Sequence, residues 1–233
     1  VICVINVEYL DVFGYVIETE QAIYVFDYTK GQLPSKYLLS KKPLYFFVSR
    51  DDVKHYSSSI LSYRKPIFMH EEIKTSPQDD VFKIANGDTL FLGKTKVNVL
   101  QVSRQGLAFI IKEPNLSIFY AGDLNHKLWR PLGVEKEDLN TEVLLSQFLE
   151  RIEPYKPIDV ALASVNPNIS MNYDATARRI IQTLEPSYFF PMDFEDKPSR
   201  ISNFIKWGDS VSSVKIFQPL YANHAFENIE VVK

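Results

Sequence analysis

The first half of the chain alternates short apolar runs with polar turns, which is the pattern of β-strands. The runs are rich in Val, Ile, Tyr and Phe, with Gly, Asp or Glu between them. The run 44–48 has no polar interruption and predicts a strand that is buried on both faces. The strands predicted in this half cover residues 1–9, 13–18, 23–26, 44–48, 81–84, 89–92, 96–102, 107–111 and 116–121.

The second half alternates helices with strands. Within residues 138–152, apolar side chains recur at helical spacing, namely Leu139, Val143, Leu144, Phe148 and Ile152. The other helices predicted here cover 174–184 and 200–207, and the strands cover 158–162, 187–190, 214–217 and 229–232. Because no Pro-, Gly- or Ser-rich tract divides the chain, we predict one domain, residues 1–233. Its expected class is α/β (α+β), with two packed sheets and helices outside them.

Two polar segments predict local structure. The Asn-Gly-Asp sequence at 86–88 is typical of a tight turn and predicts a hairpin between the strands 81–84 and 89–92. Asp51 or Asp52 is expected to cap a helix that follows the strand 44–48. This helix would turn three side chains inward: Tyr56, Ile60 and Tyr63.

Composition and charge narrow the range of partners. The net charge is −3, and the 26 basic and 29 acidic residues are mixed along the chain, which argues against a nucleic-acid surface. The longest apolar runs are far shorter than the ~20 residues that span a bilayer, so no membrane partner is expected. Cys3 is the single cysteine, and no signal-peptide pattern opens the sequence. A cytoplasmic location is therefore expected.

Three apolar strands end in short polar clusters. The ends of parallel strands meet at one edge of a sheet, where ligand sites gather. We therefore expect these clusters to share one cleft, formed by Arg50, Asp52, Lys54, His55, Asp123 and Asp193. His126, Trp129 and Ser103 are candidates for its lining. A surface position explains His126 better, however, and simple packing explains Trp129 equally well.

The polar clusters at these strand ends, taken in their order along the chain, resemble motifs of the metallo-β-lactamase superfamily. They are most similar to those of a bacterial branch of metal-dependent hydrolases. The segment 49–55 follows a strand where that superfamily has His-x-His-x-Asp-His, and Gly122-Asp123 looks like its later Gly-Asp. The segment 190–194 is similar to the Pro-Met-His-Phe segment of the bacterial branch. The segments 14–18, 24–27 and 103–109 also resemble family segments, the second including a structural Asp. The resemblance implies a four-layer αββα sandwich.

The resemblance also shows where the metal-binding motif departs from the family. Arg50 and Asp52 stand at the first two His positions, Lys54 at the Asp position and Asp193 at the last His position. A guanidinium group cannot ligate a cation, and an ammonium group must first lose its proton. An intact two-zinc centre is therefore not expected, and neither is any other cofactor. We expect the two cations to occupy the former metal volume and to pair with the carboxylates.

Two functions follow from this motif. The first is a degenerate, non-hydrolytic relative that binds a small molecule or a protein through the old active-site cleft. The alternative is a divergent, single-metal-dependent hydrolase of a lactone, ester or phosphoester. Its ion, Mn²⁺, Mg²⁺ or Zn²⁺, would be held by Asp52, His55, Asp123 and Asp193 if both cations swing outward.

Overall fold

The strands form two mixed sheets in a computed structural model that describes residues 1–103, 106–124, 139–168, 172–194, 197–211 and 213–233. The first sheet contains β1 (Ile2–Asp11), β2 (Gly14–Glu18), β3 (Ile23–Phe26), β4 (Leu44–Val48), β5 (Ile67–His70), β6 (Val81–Ile84) and β14 (His224–Val232). The second contains β7 (Thr89–Leu92), β8 (Thr95–Ser103), β9 (Gly106–Glu113), β10 (Leu116–Tyr120), β11 (Val160–Ser164), β12 (Tyr188–Met192) and β13 (Lys215–Ile216).

The order of the strands places parallel neighbours in both sheets. The first sheet has the order β14-β1-β2-β3-β4-β5-β6, and the second has the order β13-β12-β11-β10-β9-β8-β7. Strands β3 to β6 run parallel to one another, as do β10 to β13. Their carboxyl ends, where polar side chains were predicted to meet, therefore lie at a common edge of each sheet.

Helices cover the outer faces of the two sheets. They are α1 (Ser35–Leu38), α2 (Leu139–Ile152), α3 (Ala175–Leu184) and α4 (Ser202–Ser210). Ile180 and Leu184 of α3 belong to the core of the second sheet, and Tyr37 of α1 packs into the cluster on the outer face of the first. The layers are therefore helix, sheet, sheet and helix. No helix in the described part of the chain is long and apolar enough to cross a membrane.

Aromatic rings join the two sheets through the centre of the sandwich. The rings of Phe26 in β3 and Tyr120 in β10 stack at 4.4 Å, and those of Phe47 in β4 and Phe109 in β9 lie 5.1 Å apart. All four side chains are fully buried. Such pairs stabilise a core beyond the burial of their area. The strand 44–48 is buried on both faces, as the uninterrupted apolar run predicts.

The hairpin predicted at 86–88 is wrong. Strand β6 pairs in parallel with β5 in the first sheet, whereas β7 pairs antiparallel with β8 in the second. The Asn-Gly-Asp segment is a crossover between the sheets, and its turn is held by a bond from the Gly87 amide to the Val99 carbonyl (2.9 Å). Gly87 does adopt a positive φ of 91°. The sequence signal therefore reported a local turn and not the pairing of the flanking strands.

The helix expected after Asp51 or Asp52 is also absent at that point. A 3₁₀ helix begins later, at Ser58–Tyr63, and its cap is Ser57, whose side chain accepts a bond from the Ser59 amide. The carbonyl of Asp52 instead accepts bonds from the amides of His55 and Tyr56, which closes a tight turn. This turn directs His55 into the interior of the protein.

Candidate functional site

Two loops that carry polar residues are held together by backbone bonds. The loop after β4 bonds to the start of β9, because the Leu107 amide donates to the Ser49 carbonyl at 3.0 Å. The loop after β10 passes over the same place at Gly122, which has a φ of 56°. A Cβ atom at Gly122 would overlap the Leu107 carbonyl. Glycine is therefore required here for Asp123 to reach the loop after β4.

Arg50 bridges two carboxylates at the mouth of this site. Its Nε lies 3.1 Å from Asp52 Oδ2, and its Nη1 forms an ion pair with Asp123 Oδ2. The Arg50 side chain is 25% exposed and that of Asp123 is 10% exposed, so the guanidinium group closes over a nearly buried acid. Burial raises the pKa of Asp123 to about 6, although His55 and Arg50 act in the opposite direction.

A second ion pair lies beside the first. The Lys54 ammonium is 3.0 Å from Asp193 Oδ1, and the Asn166 amide donates to Asp193 Oδ2 at 2.7 Å. Asp193 is buried, and burial raises its pKa even though Asn166 and Lys54 favour the charged form. Asn166 follows β11, so the ends of β4, β11 and β12 all contribute to this second pair.

His55 lies beneath the ion pairs and is fixed by Asp27. One carboxylate oxygen of Asp27, Oδ2, accepts bonds from His55 Nδ1 (2.7 Å) and from the hydroxyls of Ser49 and Tyr120 (2.6 Å each). The ring of Phe13 packs 4.0 Å from the imidazole. Burial alone would lower the pKa of His55, but the Asp27 carboxylate outweighs it and the pKa is raised. Nε2 is therefore the imidazole nitrogen that remains for the cleft.

Three of these groups form a candidate donor set for one cation. Asp52, His55 and Asp123 each offer one ligand atom, and these three atoms lie within 4.8 Å of one another. Two carboxylate oxygens and one imidazole nitrogen suit Mn²⁺, Mg²⁺ or Zn²⁺. Asp193, which was predicted as a fourth ligand, is not part of this group; its carboxylate pairs with Lys54 and accepts a bond from Asn166. An ion in this set would share Asp52 and Asp123 with the Arg50 guanidinium.

The six predicted cleft residues lie together. The side chains of the three predicted lining residues lie outside the described part of the structure. Ser103 ends β8, and only its backbone is described; His126 and Trp129 lie outside the described residues. Sequence reasoning missed Tyr120 and Asn166, and it named Ser49 only as part of a family-like segment. Each is a polar side chain at or just beyond the end of a buried strand. The rule that located Asp123 and Asp193 would also have found these three residues.

Comparison with known proteins identifies the fold. No family sequence model matches the chain, and no curated protein matches it in sequence. Among solved structures, Igni18, a metallo hydrolase from the hyperthermophilic archaeon Ignicoccus hospitalis, aligns over 96% of this chain and 99% of its own, with a TM-score of 0.67 and 14% identity. YhfI, a metallo-β-lactamase fold protein from Bacillus subtilis, aligns over the same shares, with a TM-score of 0.61 and 14% identity. The chain has the metallo-β-lactamase fold.

A third structure shows that this fold also occurs in longer proteins. CmlA, a diiron β-hydroxylase from Streptomyces venezuelae, matches 97% of this chain but only 54% of its own length, with a TM-score of 0.63 and 11% identity. Identities this low establish the fold and not the chemistry. The αββα sandwich that the sequence resemblance implied is confirmed. The function must be argued from the cleft.

Proposed function

We propose that this metallo-β-lactamase-fold protein lacks an intact two-zinc centre and is non-hydrolytic. In this proposal, it binds a small molecule or a protein partner through the cleft between Arg50 and Lys54. The observation that carries the proposal is the double contact of Arg50, which bonds to Asp52 and Asp123 at once. These are two of the three groups that could hold an ion.

Arg50 disfavours metal binding more than the loss of a ligand alone would, because its positive charge also repels the ion. A guanidinium group stays protonated in proteins and offers no lone pair to a cation. At 4 Å and an effective dielectric of about 20, two unit charges interact by about 4 kcal/mol, and a divalent ion doubles that repulsion. An ion could enter only if Arg50 left both carboxylates. Lys54 adds a second cation at Asp193.

The same ion pairs support a fixed binding surface. Asp123 and Asp193 are buried, and an unpaired buried carboxylate would be costly. Arg50 and Lys54 reduce that cost and also reach solvent, where a ligand can contact them. A nucleic acid or a membrane is not proposed as the ligand, since the chain carries a net charge of −3 and basic residues are not concentrated in it. A cytoplasmic location remains part of the proposal.

Metal analysis tests the role of Arg50 directly. We expect the wild-type protein, purified without chelator, to carry far less than one equivalent of metal. Arg50→Ala should bind Zn²⁺ or Mn²⁺ measurably more tightly, because Asp52, His55 and Asp123 are then free to act together. Arg179→Ala is the matched control: it also removes an arginine that pairs with a carboxylate, but at Glu142. Near-stoichiometric metal in the wild-type protein would overturn the proposal.

The second candidate is a single-metal-dependent hydrolase of a lactone, ester or phosphoester. The clustering of Asp52, His55 and Asp123 within 4.8 Å favours it. An ion held there would supply Lewis acidity and a bound water of lowered pKa. A panel of these substrates with and without Mn²⁺ and Zn²⁺ separates the two functions. Metal-dependent turnover that Asp123→Asn abolishes would establish the hydrolase, and its absence would favour a binding protein.

A further inference from the structure

A separate cavity lies beside the candidate cleft. It has a volume of about 450 Å³ and is lined by Asp51, His70, Glu72 and Lys74. Strands β4 and β5 are parallel neighbours, and the cavity lies beyond their carboxyl ends, where α/β sheets commonly bind ligands. Asp51 stands between Arg50 and Asp52 in the chain but contacts neither of the ion pairs described above. The cavity is therefore distinct from the cleft.

His70 is a buried residue that contributes a hydrogen-bond donor to this cavity. The residue is only 5% exposed. Its Nδ1 accepts a bond from the Glu72 amide at 3.1 Å, so the neutral imidazole carries its proton on Nε2. Burial lowers the pKa of His70, which favours this neutral form. Nε2 has no hydrogen-bond partner among the residues that the structure describes.

Three charged side chains at the cavity are also unpaired. Asp51, Glu72 and Lys74 are exposed, and in the described part of the chain none of their charged groups forms an ion pair or hydrogen bond. Lys83 is a second nearby cation: its ammonium donates to the Ile73 carbonyl and the Met69 sulfur, and its charge also acts on Asp51 without forming an ion pair with it. The four side chains that line the cavity thus present two negative charges, one positive charge and one neutral N–H donor.

We propose that this cavity binds a small basic amino acid. The two ammonium groups of such a ligand complement Asp51 and Glu72, and its carboxylate complements Lys74 and the Nε2–H of His70. The net charge of the ligand, +1, is opposite to that of the cavity. A volume of about 450 Å³ lies within the range of small-molecule sites and accommodates a molecule of this size. The proposal is independent of the metal content of the cleft.

Proton NMR of the full chain tests the site, because the chain has four histidines and few imidazole signals overlap. L-Lysine is the probe, and we expect it to shift the Cε1–H signal of His70 saturably, with a dissociation constant on the order of millimolar. Cadaverine lacks the carboxylate and should bind about two- to fivefold more weakly. Glutarate lacks ammonium groups and should not shift the signal. A His70 signal that L-lysine leaves unchanged would overturn the proposal.

Charge-removing variants identify the carboxylates. Asp51→Asn and Glu72→Gln should each weaken L-lysine binding about two- to fivefold, since exposed charge pairs contribute modestly. Glu71→Gln is the matched control, because Glu71 is exposed and adjacent to Glu72 but does not line the cavity. Equal affinities in all three variants would show that general charge attraction accounts for binding, and the assigned site would then be wrong.

Discussion

At the scale of single residues, the charge balance of the cleft depends on Arg50. Among the residues described, it is the one side chain that forms ion pairs with both Asp52 and Asp123. The loss of one member of a buried ion pair leaves the other charge uncompensated, which costs more than the pair itself contributes. Asp123, with its side chain 10% exposed, has little access to water that could replace the guanidinium.

Arg50→Ala should therefore destabilise the fold. We expect a loss of about 2–4 kcal/mol in the free energy of unfolding, near the value for breaking a buried pair and reduced for partial exposure. Urea unfolding in the presence of EDTA measures this loss without interference from metal. Arg179→Ala removes an exposed pair and should change stability by less than about 0.5 kcal/mol. A wild-type midpoint in Arg50→Ala would contradict the role given to this side chain.

Ionisation of Glu113 should lower the free energy of unfolding as pH rises. It is held by the hydroxyls of Tyr24 and Thr19 at 2.7 Å, yet burial raises its pKa above the ordinary value. The folded state therefore binds the proton more tightly than the unfolded state. As pH rises from the ordinary glutamate pKa through the raised one, ionisation of Glu113 removes stability.

Glu113→Gln removes this titration and keeps an acceptor for both hydroxyls. Its stability relative to wild type should increase as pH rises through that window and level off above it. Urea unfolding at several pH values between about 4 and 8 measures the difference. Glu142→Gln controls for an exposed glutamate. A wild-type-to-variant difference that is constant across the range would refute the assignment.

At the scale of elements, most strand positions could be predicted from the sequence but their partners could not, and the short strand β5 was missed. The runs 23–26, 44–48, 81–84 and 89–92 have the predicted bounds. Periodicity reports which residues are apolar, but the pairing of β6 with β5 depends on contacts far apart in sequence. The cleft was predictable because its residues follow strand ends, whereas the contact of Asn166 with Asp193 required knowing that β11 lies beside β12.

Gly122 links two such elements, and its replacement should disrupt the cleft. Gly122→Ala must accept a positive φ and a Cβ that overlaps the Leu107 carbonyl. Gly93→Ala is a matched control, since Gly93 has a φ of 63° and a Cβ added there would meet no atom within 4 Å. We expect Gly122→Ala to be less stable than Gly93→Ala by about 3 kcal/mol, as for strong overpacking. Equal melting temperatures would show that the two loops separate at little cost.

At the scale of the whole molecule, buried contacts tie the two sheets together. Tyr15 in β2 donates to the Pro191 carbonyl at 2.7 Å, and Tyr120 in β10 donates to Asp27 after β3. One apolar cluster includes residues from Cys3 to Val231. Contacts of this kind favour a single cooperative unit, which is what the absence of a linker in the sequence predicts. The assignment of residues 1–233 to one domain stays a prediction.

Unfolding measured by two probes tests that prediction. In a Trp129→Phe variant, Trp207 of α4 is the sole tryptophan and reports on the second half of the chain. Far-UV circular dichroism reports on both sheets. We expect the two urea transitions to coincide, as they do for a two-state domain. Transitions with separate midpoints would mean that the region around Trp207 unfolds independently of the rest of the chain.

Arg50 neutralises the carboxylates of the cleft with a group that cannot dissociate from the protein. A metal ion dissociates from its ligands and can be lost to dilution, to a chelator or to another protein. The guanidinium group is tethered to the same chain as Asp52 and Asp123, so its effective concentration at these carboxylates does not depend on supply from outside. In the proposed metal-free cleft, the group that neutralises these carboxylates therefore belongs to the polypeptide itself and is in place as soon as the chain has folded.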